Sequence, residues 1–179
     1  MLRVLTGSTG KELYFIDQAN YLWRRKSLTM IHYRCLFFDE LTLSQLYDLM
    51  ALRQTVFVVE QNCPYLDADG KDRQSWHILG YDQKSAQLSA YTRLIPKGLT
   101  YANYASIGRV VTAPGVRGQG VGRRLMEESL RQAKRLFGNT PIKISAQSYL
   151  VEFYRELGFT PVGEEYLEDG IPHMGMLLE

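Results

Sequence analysis

The sequence predicts an α+β fold: one mixed, mostly antiparallel sheet flanked by helices. Three observations point to it. In the first half, WHILGYD and QLSAYTRLI are strand-like runs joined by a short polar turn, the mark of an antiparallel hairpin. The second half runs strand, helix, strand, helix, with apolar residues of its long helix recurring every three to four positions. Two further strand-like runs, TPVGEEYLEDG and IPHMGMLLE, close the chain. With 179 residues there is room for one domain and an appendage. A core of that size needs no disulfide or metal staple.

Residues 1–29 read as an extension, with Met30 as the working start of a domain spanning residues 30–179. The extension could form one amphipathic helix from Lys11 to Lys26, with Leu13, Ile16, Asn20 and Trp23 on one side. From Met30, IHYRCLFFD reads as a strand. LTLSQLYDLMALRQ begins at a Thr or Ser cap and places Leu43, Leu46, Tyr47, Leu49, Met50 and Arg53 at helical spacing, before a β-like turn at VFVVE. NCPYLDADGKDRQ is a polar loop with an Asp-Gly turn. After the hairpin, ASIGRVVT is a strand. PGVRGQGVG is a basic, glycine-rich turn that opens a helix through Phe137, with Lys134 and Arg135 in the last turn and Gly138 as cap. IKISAQ is a strand, and SYLVEFYRELGF a short helix ending at Gly158.

Composition excludes several classes. Apolar residues make up 45% and charged residues 22%, which is globular and not disordered. A net charge of +2 argues against a nucleic-acid binder. No apolar run approaches the length of a membrane helix, and no secretory signal is visible. Cys35 and Cys63, with three scattered histidines, cannot build a zinc site, and two lone thiols suit a reducing cytoplasm.

The glycine-rich turn carries the chemistry. A strand, a glycine-rich turn and a helix N-terminus together aim main-chain N–H groups and a positive dipole end at a phosphate. The turn is not a Walker A loop, because Gly120 is followed by Val121 and Gly122 rather than Lys and Ser or Thr. Nor is it a dinucleotide fingerprint, whose third glycine position holds Arg123. What remains is R-x-x-G-x-G, Arg117 through Gly122.

ASIGRVVTAPGVRGQGVGRRLM resembles the coenzyme A motif of the GCN5-related N-acetyltransferases, and AQSYLVEFYRELGF resembles that family's second signature. LRQTVFVVEQNCPY, HILGY and EDGIPHMGM resemble its bacterial ElaA-type branch. The resemblance runs from about Met30 to Glu179 and leaves residues 1–29 uncovered. It implies the acyl-CoA N-acyltransferase fold, acetyl-CoA as co-substrate and no metal. It also implies direct transfer to a small-molecule or peptide amine, and homodimers are common among such folds. Val110 and Val111 would pair their main chain with the pantetheine arm. Arg117, Gly118, Gln119, Gly120, Val121, Gly122 and Arg123 would hold the pyrophosphate. Tyr154 would protonate the departing thiolate. Gln147 stands where many members carry Asn. The acceptor ammonium needs a base, for which Glu60 comes first, then His77, with His173 as a third candidate. A coenzyme-binding module without turnover is the alternative, and acyl transfer to a homoserine lactone precursor a weaker one.

Charge is unevenly spread. Residues 107–137 carry seven basic and two acidic groups, and residues 138–179 two basic and seven acidic. Residues 60–82 carry two basic and five acidic. The expectation is a basic grip on coenzyme phosphates and an acidic acceptor mouth that favours a cationic amine.

Overall fold

The computed structural model describes residues 29–179. The helix expected over residues 11–26, and all of the extension except Thr29, lie outside the described residues. Strands β1 (Ile31–Phe37), β2 (Trp76–Asp82), β3 (Leu88–Ile95) and β4 (Ser106–Thr112) form an antiparallel sheet in that order. Strands β5 (Ile142–Gln147), β6 (Thr160–Glu168) and β7 (Ile171–Leu178) form a second, ordered β5-β7-β6. The sheet anticipated as one is therefore two leaves. They join at a single parallel bridge between Ala105 and Ile142. There Ala105 N–H donates to the Pro141 carbonyl at 3.0 Å, and Lys143 N–H donates to the Ala105 carbonyl at 2.9 Å. Beyond this seam β4 and β5 diverge without pairing.

Side-chain alternation explains why the first leaf is covered on both faces. Ile78, Ala90 and Leu94 point to one face, where helix α2 (Val121–Phe137) buries Val121, Leu125, Met126 and Ala133. Leu79, Tyr91 and Val111 point to the other, against Leu49, Leu52 and Val56 from helix α1 (Leu43–Arg53) and the turn after it. Each such Leu contributes about 1.5–3 kcal/mol by burial. A strand covered on both faces must pair its polar side chains internally. Thr92 in β3 does so with Ser129 of α2, hydroxyl to hydroxyl at 2.8 Å.

Helix α1 begins with a reciprocal cap: Gln45 N–H donates to Thr42 Oγ1 at 3.2 Å, and Thr42 N–H to Gln45 Oε1 at 2.9 Å. Its buried residues are Leu49, Leu52 and Arg53, while Leu43 and Tyr47 face outward, so the stripe lies beside the one expected. The expected β-like turn at VFVVE is instead a π-helical turn, Gln54–Glu60. Gln61 N–H donates to the Val56 carbonyl and Cys63 N–H to Val58, each five residues back. The wider turn aims Phe57 and Glu60 at the space between the leaves. Helix α3 (Val151–Arg155) follows β5 through a single 3-10 turn, and Asp169 and Gly170 make the two-residue β6–β7 turn.

Candidate active site

The divergence of β4 and β5 opens a cavity of about 780 Å3 that penetrates between the leaves. Strand β4 pairs with β3 on one side, and among the described residues no strand pairs with its other side beyond the seam. Its main-chain groups there are available to an extended ligand, as in strand addition. The strand is also bulged. Tyr91 faces Val111 and Arg93 faces Gly108, so Arg109 and Val110 share one partner, and Arg109 is left-handed at φ 55°. Val110 and Val111 both line the cavity, and their side chains also pack toward the core, Val110 in part.

The glycine-rich turn sits at the mouth. Gly118 and Gly120 both have φ 70°, a left-handed conformation that a side chain disfavours, and Gly120 caps α2 without any side-chain acceptor. A Cβ at Gly118 or Gly122 would meet no atom within 4 Å, so the turn has open space over its main chain. Only Arg117 and Gly122 of the motif border the cavity itself. Val121 is buried core. Gln119 faces back, its Oε1 accepting from Thr29 N–H at 3.2 Å and Thr29 Oγ1 at 2.8 Å, and its Nε2 donating to the Gly115 carbonyl at 3.3 Å. Arg124, the next basic residue along the helix, ties the same knot by donating to the Gln119 and Thr29 carbonyls at 3.1 and 3.0 Å. Arg123 pairs with Glu156 and lies over the Phe153 ring.

Arg117 is engaged across the cleft. Its Nη1 and Nη2 donate to the two oxygens of Glu60 at 2.5 and 2.9 Å, and its Nε to the Thr112 carbonyl at 3.2 Å. Hydrogen bonds and charge from Arg117 hold the Glu60 carboxyl below its usual range. Glu60 thus lines the cavity as one half of an ion pair.

Tyr154 is 5% exposed and lines the cavity, its ring packed edge-on against Phe153 and Phe159. Burial pushes its phenol up to about 12, so it carries its proton at neutral pH. Gln147 also lines the cavity and donates to Gln61 Oε1 at 3.4 Å.

The structure does not bring His77 to this site. It is fully buried and absent from the cavity wall. Its Nδ1 bonds the Tyr91 hydroxyl at 2.8 Å and its Nε2 the Asp72 carbonyl at 3.0 Å, so both ring nitrogens are used. Burial leads in lowering its pKa. The alternation of β2 turns this side chain toward α1's side of the sheet, where it acts as a core hydrogen-bonding group. His173 does line the cavity.

An internal ion cluster escaped the sequence reading. Arg53 of α1 is fully buried, with Nε on Asp67 at 2.7 Å and Nη1 on Asp72 at 2.7 Å. Arg93 of β3, 2% exposed, pairs with Asp69 at 2.7 Å and Asp72 at 2.9 Å. Arg109 at the bulge pairs with Asp67 at 2.6 Å. The polar loop is therefore pinned to three elements, and Asp69, Arg93 and Arg109 form part of the cavity wall. The legible signal was an arginine inside the apolar run QLSAYTRLI and another at a core helix position, each needing a buried partner. No metal-binding group of side chains is found among the described residues. Also among these, no helix is long and apolar enough to cross a membrane.

A family model described as an acetyltransferase (GNAT) domain matches residues 74–179. Protein ElaA of Escherichia coli is 45% identical over 152 residues, which cover 84% of this chain and 97% of that one. A UPF0039 protein of Synechocystis sp. is 41% identical over 160 residues, covering 89% and 95%. The crystal structure of E. coli ElaA superimposes with a TM-score of 0.78 over 84% of this chain and all of that one. An acyl-CoA N-acyltransferase from Pseudomonas aeruginosa gives 0.76 at 42% identity, over 82% and 98%. With its split sheet and glycine-rich turn, the chain belongs to the GNAT acetyltransferase family, among the ElaA-like proteins.

Proposed function

We propose that the protein transfers an acetyl group from acetyl-CoA directly to a primary amine, both held in one complex. The observation that carries this reading is the cleft between β4 and β5, with the glycine-rich turn at its mouth and Tyr154 in its wall. The open side of β4 at Val110 and Val111 suits the amides of a pantetheine arm. The turn from Arg117 to Arg123 suits the pyrophosphate, with main-chain N–H groups as the chief donors because Gln119 and Arg123 are otherwise engaged. Arg117 adds its charge beside them while it stays paired with Glu60.

The C–N bond forms as the amine adds to the thioester carbonyl, and the C–S bond then breaks. Tyr154 gives its proton to the departing sulfur and is reprotonated from the nitrogen, which sheds one proton as it becomes an amide. Glu168 and Asp169 in the cavity wall favour an amine that arrives cationic. The test is thiol release from acetyl-CoA with a panel of alkyl diamines, arylethylamines, α-amino acids and lysine peptides. Release that depends on an amine supports the reading. Coenzyme binding with no release on any amine overturns it in favour of a silent binding module.

A further inference from the structure

We infer that His173 is the base that deprotonates the acceptor amine, its ring held in the required tautomer by the β6–β7 turn. This rests on the acetyl-transfer reading above and names the residue that reading lacks. The imidazole Nδ1 lies 2.8 Å from the carbonyl oxygen of Ile171. A carbonyl only accepts, so Nδ1 carries the proton and donates. The neutral ring then presents Nε2 as a lone pair. The ring stacks on Tyr166, with centroids 6.2 Å apart and planes at 26°. Two contacts thus fix both its rotation and its proton.

Position agrees with this role. His173 lies opposite Gln147 of β5 and Tyr166 of β6 in the strand register, so these side chains share one face of the second leaf. Ser145, two residues from Gln147, shares that face and links Tyr166 to Glu168 through hydrogen bonds of 2.5 and 2.7 Å. The opposite face of β5 carries Ile144 and Ala146 into the core where Tyr154 packs. The proton donor and the proton acceptor therefore sit on opposite faces of the sheet, and the cavity reaches both. The sulfur departs toward the helices, and the amine arrives from the far face.

The other two candidates are occupied. His77 has no free nitrogen and no access to the cavity. Both oxygens of Glu60 are bound by Arg117. The protons balance: an ammonium gives one to His173 Nε2, which passes it to solvent. The second, lost after C–N bond formation, ends on the coenzyme thiol through Tyr154.

The tests separate the base from the activity. In wild type at pH 8, 15N-edited NMR of histidine side chains finds His173 with its proton on Nδ1. A proton on Nε2 overturns the inference whether or not an acceptor is known. With the best amine of the panel, His173→Gln lowers kcat roughly a hundred-fold or more, while coenzyme A affinity stays within two-fold. Added imidazole restores turnover to His173→Gly. Turnover of His173→Gln within a few-fold of wild type overturns the assignment. If that variant loses coenzyme binding, rescue decides instead: no rescue of His173→Gly by imidazole counts against it. If wild type acetylates no amine, the proposed function fails, and the tautomer alone still tests the geometry.

Discussion

Arg53→Met removes one charge from the buried cluster and leaves its aspartates in place. The guanidinium makes three hydrogen bonds: to the Asp67 and Asp72 carboxylates, each at 2.7 Å, and to the Asp67 carbonyl at 2.9 Å. Breaking a buried ion pair from one side costs about 3–5 kcal/mol. Asp67 keeps Arg109 and Asp72 keeps Arg93, so the lower end applies, about 3 kcal/mol. At roughly 2–4 °C per kcal/mol for a chain of this size, Tm falls by about 6–12 °C. The pH dependence changes with it. Burial pushes the Asp72 carboxyl up, but hydrogen bonds and charge from Arg53, then Arg93, outweigh it and hold the pKa below the usual value. A lowered carboxylate contributes stability above its unfolded pKa of about 3.9 and loses it as pH falls through the folded value. The variant's stability should therefore fall less steeply on the acid side. Urea melts at several pH values between 7 and 3 measure both effects. A loss below about 1 kcal/mol at pH 7, with an unchanged acid slope, refutes the view that this cluster pins the loop in the cavity wall.

Three further predictions follow from the site. Tyr154→Phe slows transfer roughly a hundred- to ten-thousand-fold in single-turnover kinetics, with coenzyme affinity by calorimetry nearly unchanged; a large affinity loss with intact turnover contradicts the proton-donor role. Glu60→Gln frees Arg117 from its exposed partner, so coenzyme A binds tighter by no more than a few-fold, and weaker binding would mean the pair assists the ligand rather than competing with it. Gly120→Ala forces a side chain into a left-handed conformation beside Arg124 and costs about 1–2 kcal/mol in urea melts, while an unchanged midpoint would show that the turn can relax.

Much of this was legible in the sequence, for reasons that differ by element. Helix α2 was readable because its apolar rhythm, basic last turn and Gly138 all agree. Strands β6 and β7 were readable as two strand-like runs that close the chain. VFVVE was misread because valines favour strands locally, yet the chain was already helical and Val56 gained core contacts by staying so. Periodicity put Arg53 on the buried face of α1 but gave no sign of its partners, which lie 14 and 19 residues away. His77 and His173 both sit in strand-like runs, and the sequence did not show that only His173 would reach the cavity. Which face a strand turns toward a cleft depends on leaves that meet only in three dimensions. For the same reason neither strand's own residues show the split between β4 and β5, since each taken alone reads like any other.

The seam at Ala105 and Ile142 gives the protein an unusual kind of exposed border. Most sheets carry their unpaired strands at the outside, where charge or a covering loop can blunt them. Here one such border lies in the middle of the fold, and shielding it with protein would abolish the cleft. In the proposed function, the occupant that completes the sheet is the ligand itself. Coenzyme at a hundred times its Kd would add about 2.7 kcal/mol of stability. It would also cover the open side of β4, so any self-association through that strand during purification and storage should fall when coenzyme A is present.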